Sequence, residues 1–256
     1  MLQRYFLEIM YKGTAYSGFQ AQENASNTIQ EETEKALAIL TKQAAFLTGS
    51  SRTDTGVHAW QNFFHIDYDG EFHPHFLYKI NAILPKDIVV KNIYRVQPDD
   101  HCRFDAVSRS YSYHIYRSKN PFLADRAYYF PYAVDFDKMQ EAAAILTTYS
   151  DFTSFSKRNT QVKTFVCSIE KSSWRMEGEE MIYEVTANRF LRGMVRGLTG
   201  TMLQVGRSKI SLDAFKKIIE AKDCRQADFS VPGHGLFLMK VEYPSSVHLV
   251  ELPMRR

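Results

Sequence analysis

Hydrophobic and polar positions divide the chain into short alternating elements. Residues 5–11 form a β-rich run, and Gly13 and Gly18 mark the turn that follows. From Thr28 the period lengthens. Ile29, Ala36, Leu37 and Leu40 fall on one helical face, with Asn27 as the expected N-cap. A short strand over 45–49 leads into a polar loop, and a strand over 58–67 leaves it. Residues 74–84 read as a helix ending before Pro85, and 87–96 as a strand rich in Val and Ile.

The second half repeats this logic loosely. Residues 108–117, SRSYSYHIYR, alternate strictly. Tyr111, Tyr113 and Ile115 share one face there, and Ser112, His114 and Tyr116 the other. Asp135 is the expected cap of a helix reaching Leu146. Runs at 164–176 and 181–188 flank Glu177-Gly178-Glu179-Glu180, which reads as a hairpin turn. An amphipathic helix is expected over 190–205, another over 212–221, and a closing strand over 236–243. Helices and hairpin-linked strands intermix, which predicts an α+β fold with mostly antiparallel sheet. Two halves of similar make-up predict two domains, 1–104 and 105–256.

Composition narrows the function only slightly. The chain has 256 residues, 45% hydrophobic and 24% charged, which is ordinary for a globular protein. Its net charge of +3 permits a nucleic-acid partner without demanding one. Cys102, Cys167 and Cys224 lie far apart and are odd in number, which argues against a disulfide framework or zinc cage and for a reducing cytoplasm. The first residues hold no apolar signal segment, and no run is long enough to span a membrane.

Three stretches could carry chemistry. The first is the polar loop, Ser50-Ser51-Arg52-Thr53-Asp54-Thr55-Gly56-Val57-His58-Ala59. An Asp-Thr-Gly turn explains Asp54 and Gly56 without function, since Asp bonds nearby backbone and Gly permits positive φ. The functional alternative is a carboxylate on a tight loop, kept ionised by a guanidinium such as Arg52. The second is the helix expected over 190–205, where Arg189, Arg192 and Arg196 recur as a stripe opposite Leu191, Met194 and Val195. That stripe is either a solvated face or a row for phosphates, with one Arg turned toward a carboxylate. Gly193, Gly197 and Gly200 each cost the helix roughly 1 kcal/mol against Ala, so close packing against a strand is expected. The third is the Tyr111/Tyr113 strand. One ring is expected in the core, and the other is free to stack on a base between Arg109 and Arg117.

His73 and His75 form an HxH without a third ligand at a telling spacing, so no metal is expected. Neither a P-loop nor a GxGxxG is present, and Ser50, Ser51 and His58 lack an oxyanion motif. Asp54-Thr55-Gly56 also spells the DTG of aspartic proteases. That class needs two such loops and buries each after apolar residues, whereas this chain has one, after Ser51-Arg52-Thr53.

RTDTGVHA resembles the R-T-D-x-G-V-H-A loop of tRNA pseudouridine synthases of the anticodon-arm branch. YKGTAYSGFQAQENASNTIQEETEKAL, INAILPKDIVV, PDDHCRFDAVSRSYSYHIY, DFTSFS, ANRFLRGMVRGLTGTMLQVG and GHGLFLMKVEY resemble further segments of that family, in the same order. The resemblance implies the pseudouridine synthase fold, with an active-site cleft between its two halves. It implies isomerisation of uridine at positions 38 to 40 of tRNA, without cofactor or metal, by a homodimer that binds one tRNA across both subunits. It makes Asp54 the catalytic aspartate, Tyr111 the tyrosine at the uracil, Arg52 the loop arginine, Arg196 the arginine that pairs with the aspartate, and Leu236 the apolar residue that closes over the base. Lys12, Phe19, Ser51 and Gly193 depart from the family's usual residues. A non-catalytic RNA-binding protein of the same fold is the rival reading, against which the intact Asp54, Tyr111 and Arg196 stand.

Overall fold

A computed structural model describes residues 2–22, 26–158 and 162–254. Residues 23–25, part of the N-terminal segment of the resemblance, lie outside the described residues. The chain divides into two compact units, Met1–Val107 with Leu238–Arg256, and Ser108–Phe237. The boundary expected after 104 thus falls after Val107, and the last part of the chain returns to the first unit. The antiparallel sheet and flanking helices expected from the patterning are present.

In the first unit, β1 (Leu2–Tyr11), α1 (Ile29–Thr41), β2 (Thr48–Gly49), β3 (His58–Asp69), α2 (Phe76–Ile83) and β4 (Ile88–Arg95) follow one another. β1 is central, antiparallel to β3 on one side and to β4 on the other. Phe6, Leu7, Ile9 and Phe64 are fully buried. The cap of α1 is Thr28, whose hydroxyl accepts from the amide of Glu31 at 3.2 Å. Asn27, the expected cap, instead adopts φ 62° and donates its side-chain amide to the Ala15 carbonyl at 2.8 Å.

The second unit holds β5 (Ser108–Tyr116), β6 (Tyr128–Tyr129), α3 (Phe136–Ile145), β7 (Ile169–Glu177), β8 (Glu180–Ala187), α4 (Met194–Gly206) and α5 (Leu212–Glu220). β8 pairs antiparallel with β5 and β7, and Gly178 turns the β7–β8 hairpin at φ 58°. Asp135 caps α3, as its sequence position predicted. β9 (Leu236–Glu242) begins in this unit and ends in the first, where β10 (Val250–Glu251) joins the free edge of β4. No helix among the described residues is long and apolar enough to cross a membrane.

The helix expected over 190–205 is shorter and buried nearly all round. α4 starts at Met194 because Gly193 takes the left-handed φ of 74° and because Asn188 is held by Ser168 in a strand-like pair. Arg189 and Arg192 therefore precede the helix, and the three-arginine stripe does not exist. Gly197 and Gly200 of α4 do permit a close approach, but against the irregular segment 228–229 rather than a strand.

Candidate active site

Asp54 sits at the first position of a tight turn in the first unit. The amide of Val57 donates to its carbonyl at 3.2 Å, and Gly56 takes the positive φ of 78° that this turn requires. The carbonyl of the preceding Thr53 accepts from the Phe19 amide at 3.1 Å. Gly18 makes that approach possible: at φ 112°, a Cβ there would lie 3.3 Å from the Thr53 carbonyl oxygen. The loop is thus held by backbone, and Asp54 itself remains half-buried. Such a carboxylate is accessible to a substrate without being fully hydrated. Arg52 is exposed and donates to Gln20 Oε1 at 3.1 Å, so its guanidinium is directed to the 18–20 segment. His58 accepts the amide of Gly13 on Nδ1 at 3.0 Å and ties the other end of the loop to the turn after β1.

Tyr111, Arg196 and Leu236 belong to the second unit. The two tyrosines of β5 divide as expected. Tyr113 is completely buried and donates to the Pro232 carbonyl at 2.7 Å; burial raises its hydroxyl pKa far above the ordinary phenol value. Tyr111 is half-buried, and its ring meets Phe190 edge-on, with centroids 4.9 Å apart and planes at 79°.

Arg196 lies in the first turn of α4 and is half-buried. A cation there works against the helix dipole, so helix stability does not account for it; the same position adds positive potential to the N-terminus, which suits a carboxylate or phosphate. Its Nε donates to the Val231 carbonyl at 2.8 Å. Arg196 and Tyr113 therefore grip consecutive carbonyls, Val231 and Pro232, just before Leu236. Gly235 allows the turn to rest on Tyr113, because a Cβ there would lie 2.8 Å from its ring. Leu236, which opens β9, is buried.

Phe190 and the Val231–Pro232 carbonyls were not singled out by sequence reasoning. Phe190 reads as one apolar residue of a helix, and carbonyls leave no sequence signal. The one signal available was Pro232-Gly233-His234-Gly235, a turn composition just before a closing strand.

One cluster outside these residues has metal-binding types. His65, His101 and Cys102 bring their ligand atoms within 4.8 Å of one another. Their bonds already tie them into the fold. His65 Nδ1 accepts the Cys102 amide at 3.2 Å, His101 Nδ1 accepts the Arg103 amide at 3.1 Å, and the thiol donates to the Thr48 carbonyl at 3.1 Å. Burial, helped by Arg4, lowers the His65 pKa to about 4.

The family profile described as tRNA pseudouridine synthase matches residues 9–105 and 142–244, which include Asp54 and Arg196. The tRNA pseudouridine synthase A of Parabacteroides distasonis is 44% identical over 252 residues, covering 98% of this chain and all of that protein. The protein of the same name from Bacteroides fragilis is 46% identical, covering 96% of this chain and 98% of its own length. The one from Bacillus subtilis is 39% identical over 92% of this chain and 97% of its own. With a profile matching most of the chain and relatives aligned end to end, the chain belongs to the tRNA pseudouridine synthase family.

Proposed function

We propose that the chain isomerises uridine to pseudouridine in the anticodon arm of tRNA. Substrate and product have the same atoms. The N-glycosidic bond breaks, uracil turns, C5 bonds to C1′ of the ribose, C5 gives up its proton to solvent, and the freed N1 takes one up. No electron is gained or lost, so the reaction calls for no redox cofactor. Asp54 supplies the ionised carboxylate at the ribose, by attack on the sugar or removal of a ribose proton. Tyr111 stacks on the uracil, Leu236 closes over it, Arg52 meets the RNA, and Arg196 serves as the cation that its motif implies.

The observation that carries this reading is the seating of Asp54: half-buried, on a turn fixed by Phe19, Val57 and the glycines at 18 and 56. A turn whose only task was to reverse the chain would need the Gly but not this degree of backbone support. The target base must leave its stack, at a cost of a few kcal/mol that phosphate contacts offset. An anticodon arm presents shape more than linear sequence, so recognition by shape is expected. The enzyme acts in the cytoplasm as a homodimer, a state that the family resemblance supports and sedimentation would test.

The test is tritium release from tRNA labelled at uracil C5, followed by mapping of the product. Pseudouridine at positions 38, 39 or 40 supports the reading. Binding of tRNA without release would leave a non-catalytic RNA-binding protein instead.

A further inference from the structure

Beneath the Asp54 loop lies a buried polar relay that no motif of the sequence announces. Asn62 is completely buried in the middle of β3, among Phe63, Phe64 and other apolar neighbours. Asparagine is a poor strand former, and a buried amide is costly unless all its groups are bonded. Besides accepting the amide of the adjacent Phe63 on Oδ1 at 2.9 Å, the side chain bonds to the loop and to Tyr11. The side chain accepts the Ser51 amide at 3.2 Å and donates to the Ser51 carbonyl at 2.9 Å, gripping that residue as a neighbouring strand would. Its Nδ2 also reaches the Tyr11 hydroxyl at 3.3 Å. That hydroxyl, at the end of β1, shares a hydrogen bond of 2.7 Å with Thr53 Oγ1. Tyr11 and Thr53 are themselves buried.

We propose that Asn62 and Tyr11 are positioning residues that fix the Asp54 carboxylate for reaction by holding Ser51 and Thr53 from below. The inference rests on the reading of Asp54 as catalytic. A carboxylate that must approach one ribose carbon tolerates little displacement, and an error of about 1 Å costs on the order of a hundredfold in rate. The backbone bonds from Phe19 and Val57 fix the loop's path. The relay anchors the side chain of Thr53 and both backbone groups of Ser51, and so sets the direction in which Asp54 leaves the backbone.

The experiment compares the full-length enzyme with Tyr11→Phe, Thr53→Val and Thr53→Ser in single-turnover tritium release, with tRNA affinity and melting measured alongside. Tyr11→Phe keeps the ring packed against Phe19 (centroids 5.8 Å apart) and removes only the hydroxyl. Tyr11→Phe and Thr53→Val are expected to slow the chemical step by at least about tenfold at unchanged tRNA affinity. Thr53→Ser, which keeps Oγ, is expected to restore most of the rate. Release by Tyr11→Phe within about twofold of the parent overturns the proposal, as does Thr53→Ser being as slow as Thr53→Val. A slow rate explained wholly by loss of folded protein overturns it too. If Tyr11→Phe does not fold, the two Thr53 variants decide. A parent without activity, or an Asp54→Asn variant with full activity, removes the catalytic reading itself and is told apart by those two controls.

Discussion

Gly200 and Asp228 stand in backbone contact: a Cβ on Gly200 would lie 2.2 Å from the Asp228 carbonyl oxygen. Thr201 accepts the Asp228 amide at 3.0 Å, and Gln204 donates to the Asp228 carboxylate at 2.6 Å. α4 is thereby zipped to the segment that offers the Val231 carbonyl to Arg196. Gly200→Ala should destabilise the protein by about 1–3 kcal/mol, because rigid backbone rather than a flexible side chain must move. An unchanged urea midpoint would show that the two backbones do not need this approach.

Arg192 and Arg196 should differ sharply. Arg192 is exposed and lies before the helix, while Arg196 is half-buried, anchored by Val231 and, on the proposed reading, the family's motif arginine. Arg196→Ala is expected to lower single-turnover rate by at least about a hundredfold, in the range of lost electrostatic stabilisation. Arg192→Ala should have a smaller effect on that rate. The reverse order in single-turnover assays would move the catalytic cation elsewhere.

The Ser50 hydroxyl is buried and has no hydrogen-bond partner among the described residues. Its removal leaves no partner stranded and ends a desolvation cost. Ser50→Ala should therefore leave stability unchanged or raise it by up to about 1 kcal/mol. A clear drop in melting temperature would mean that this oxygen is bonded in solution.

Acid should weaken the fold through His65. Its folded pKa of about 4 lies below the ordinary value of 6.5, since burial and then Arg4 disfavour the charged ring. Between those values the unfolded chain binds a proton that the folded chain does not. Stability is therefore full above about pH 6.5 and falls as pH drops toward 4. His65→Asn keeps a nearby acceptor for the Cys102 amide and removes the titration, so its urea midpoint should fall less between pH 7 and 5. Equal losses in parent and variant would assign the pH dependence to other groups.

Periodicity revealed the strands and most helices because their core faces repeat at regular intervals, as in β3 and α1. It failed at α4. Leu191, Met194 and Val195 suit a helix beginning at 190, and the left-handed backbone of Gly193, together with the Asn188–Ser168 pairing, delays it. The Arg stripe was lost for the same reason. Asp54, Tyr111 and Arg196 stood out through the family resemblance, since their residue types alone fit an ordinary turn, a packed strand and a polar helix face. Asn62 and Phe190 gave no signal, because what they do depends on partners distant in sequence or on ring orientation. The DTG spelling of Asp54-Thr55-Gly56 is a coincidence of turn chemistry, given the family to which the whole chain aligns.

The most direct test is tritium release from [5-³H]uracil-labelled tRNA by the parent enzyme and by Asp54→Asn, with tRNA binding measured in parallel. Stoichiometric release by the parent, none by the variant, and similar affinity for both are expected. Release by Asp54→Asn at the parental rate would show that this carboxylate does not carry the reaction.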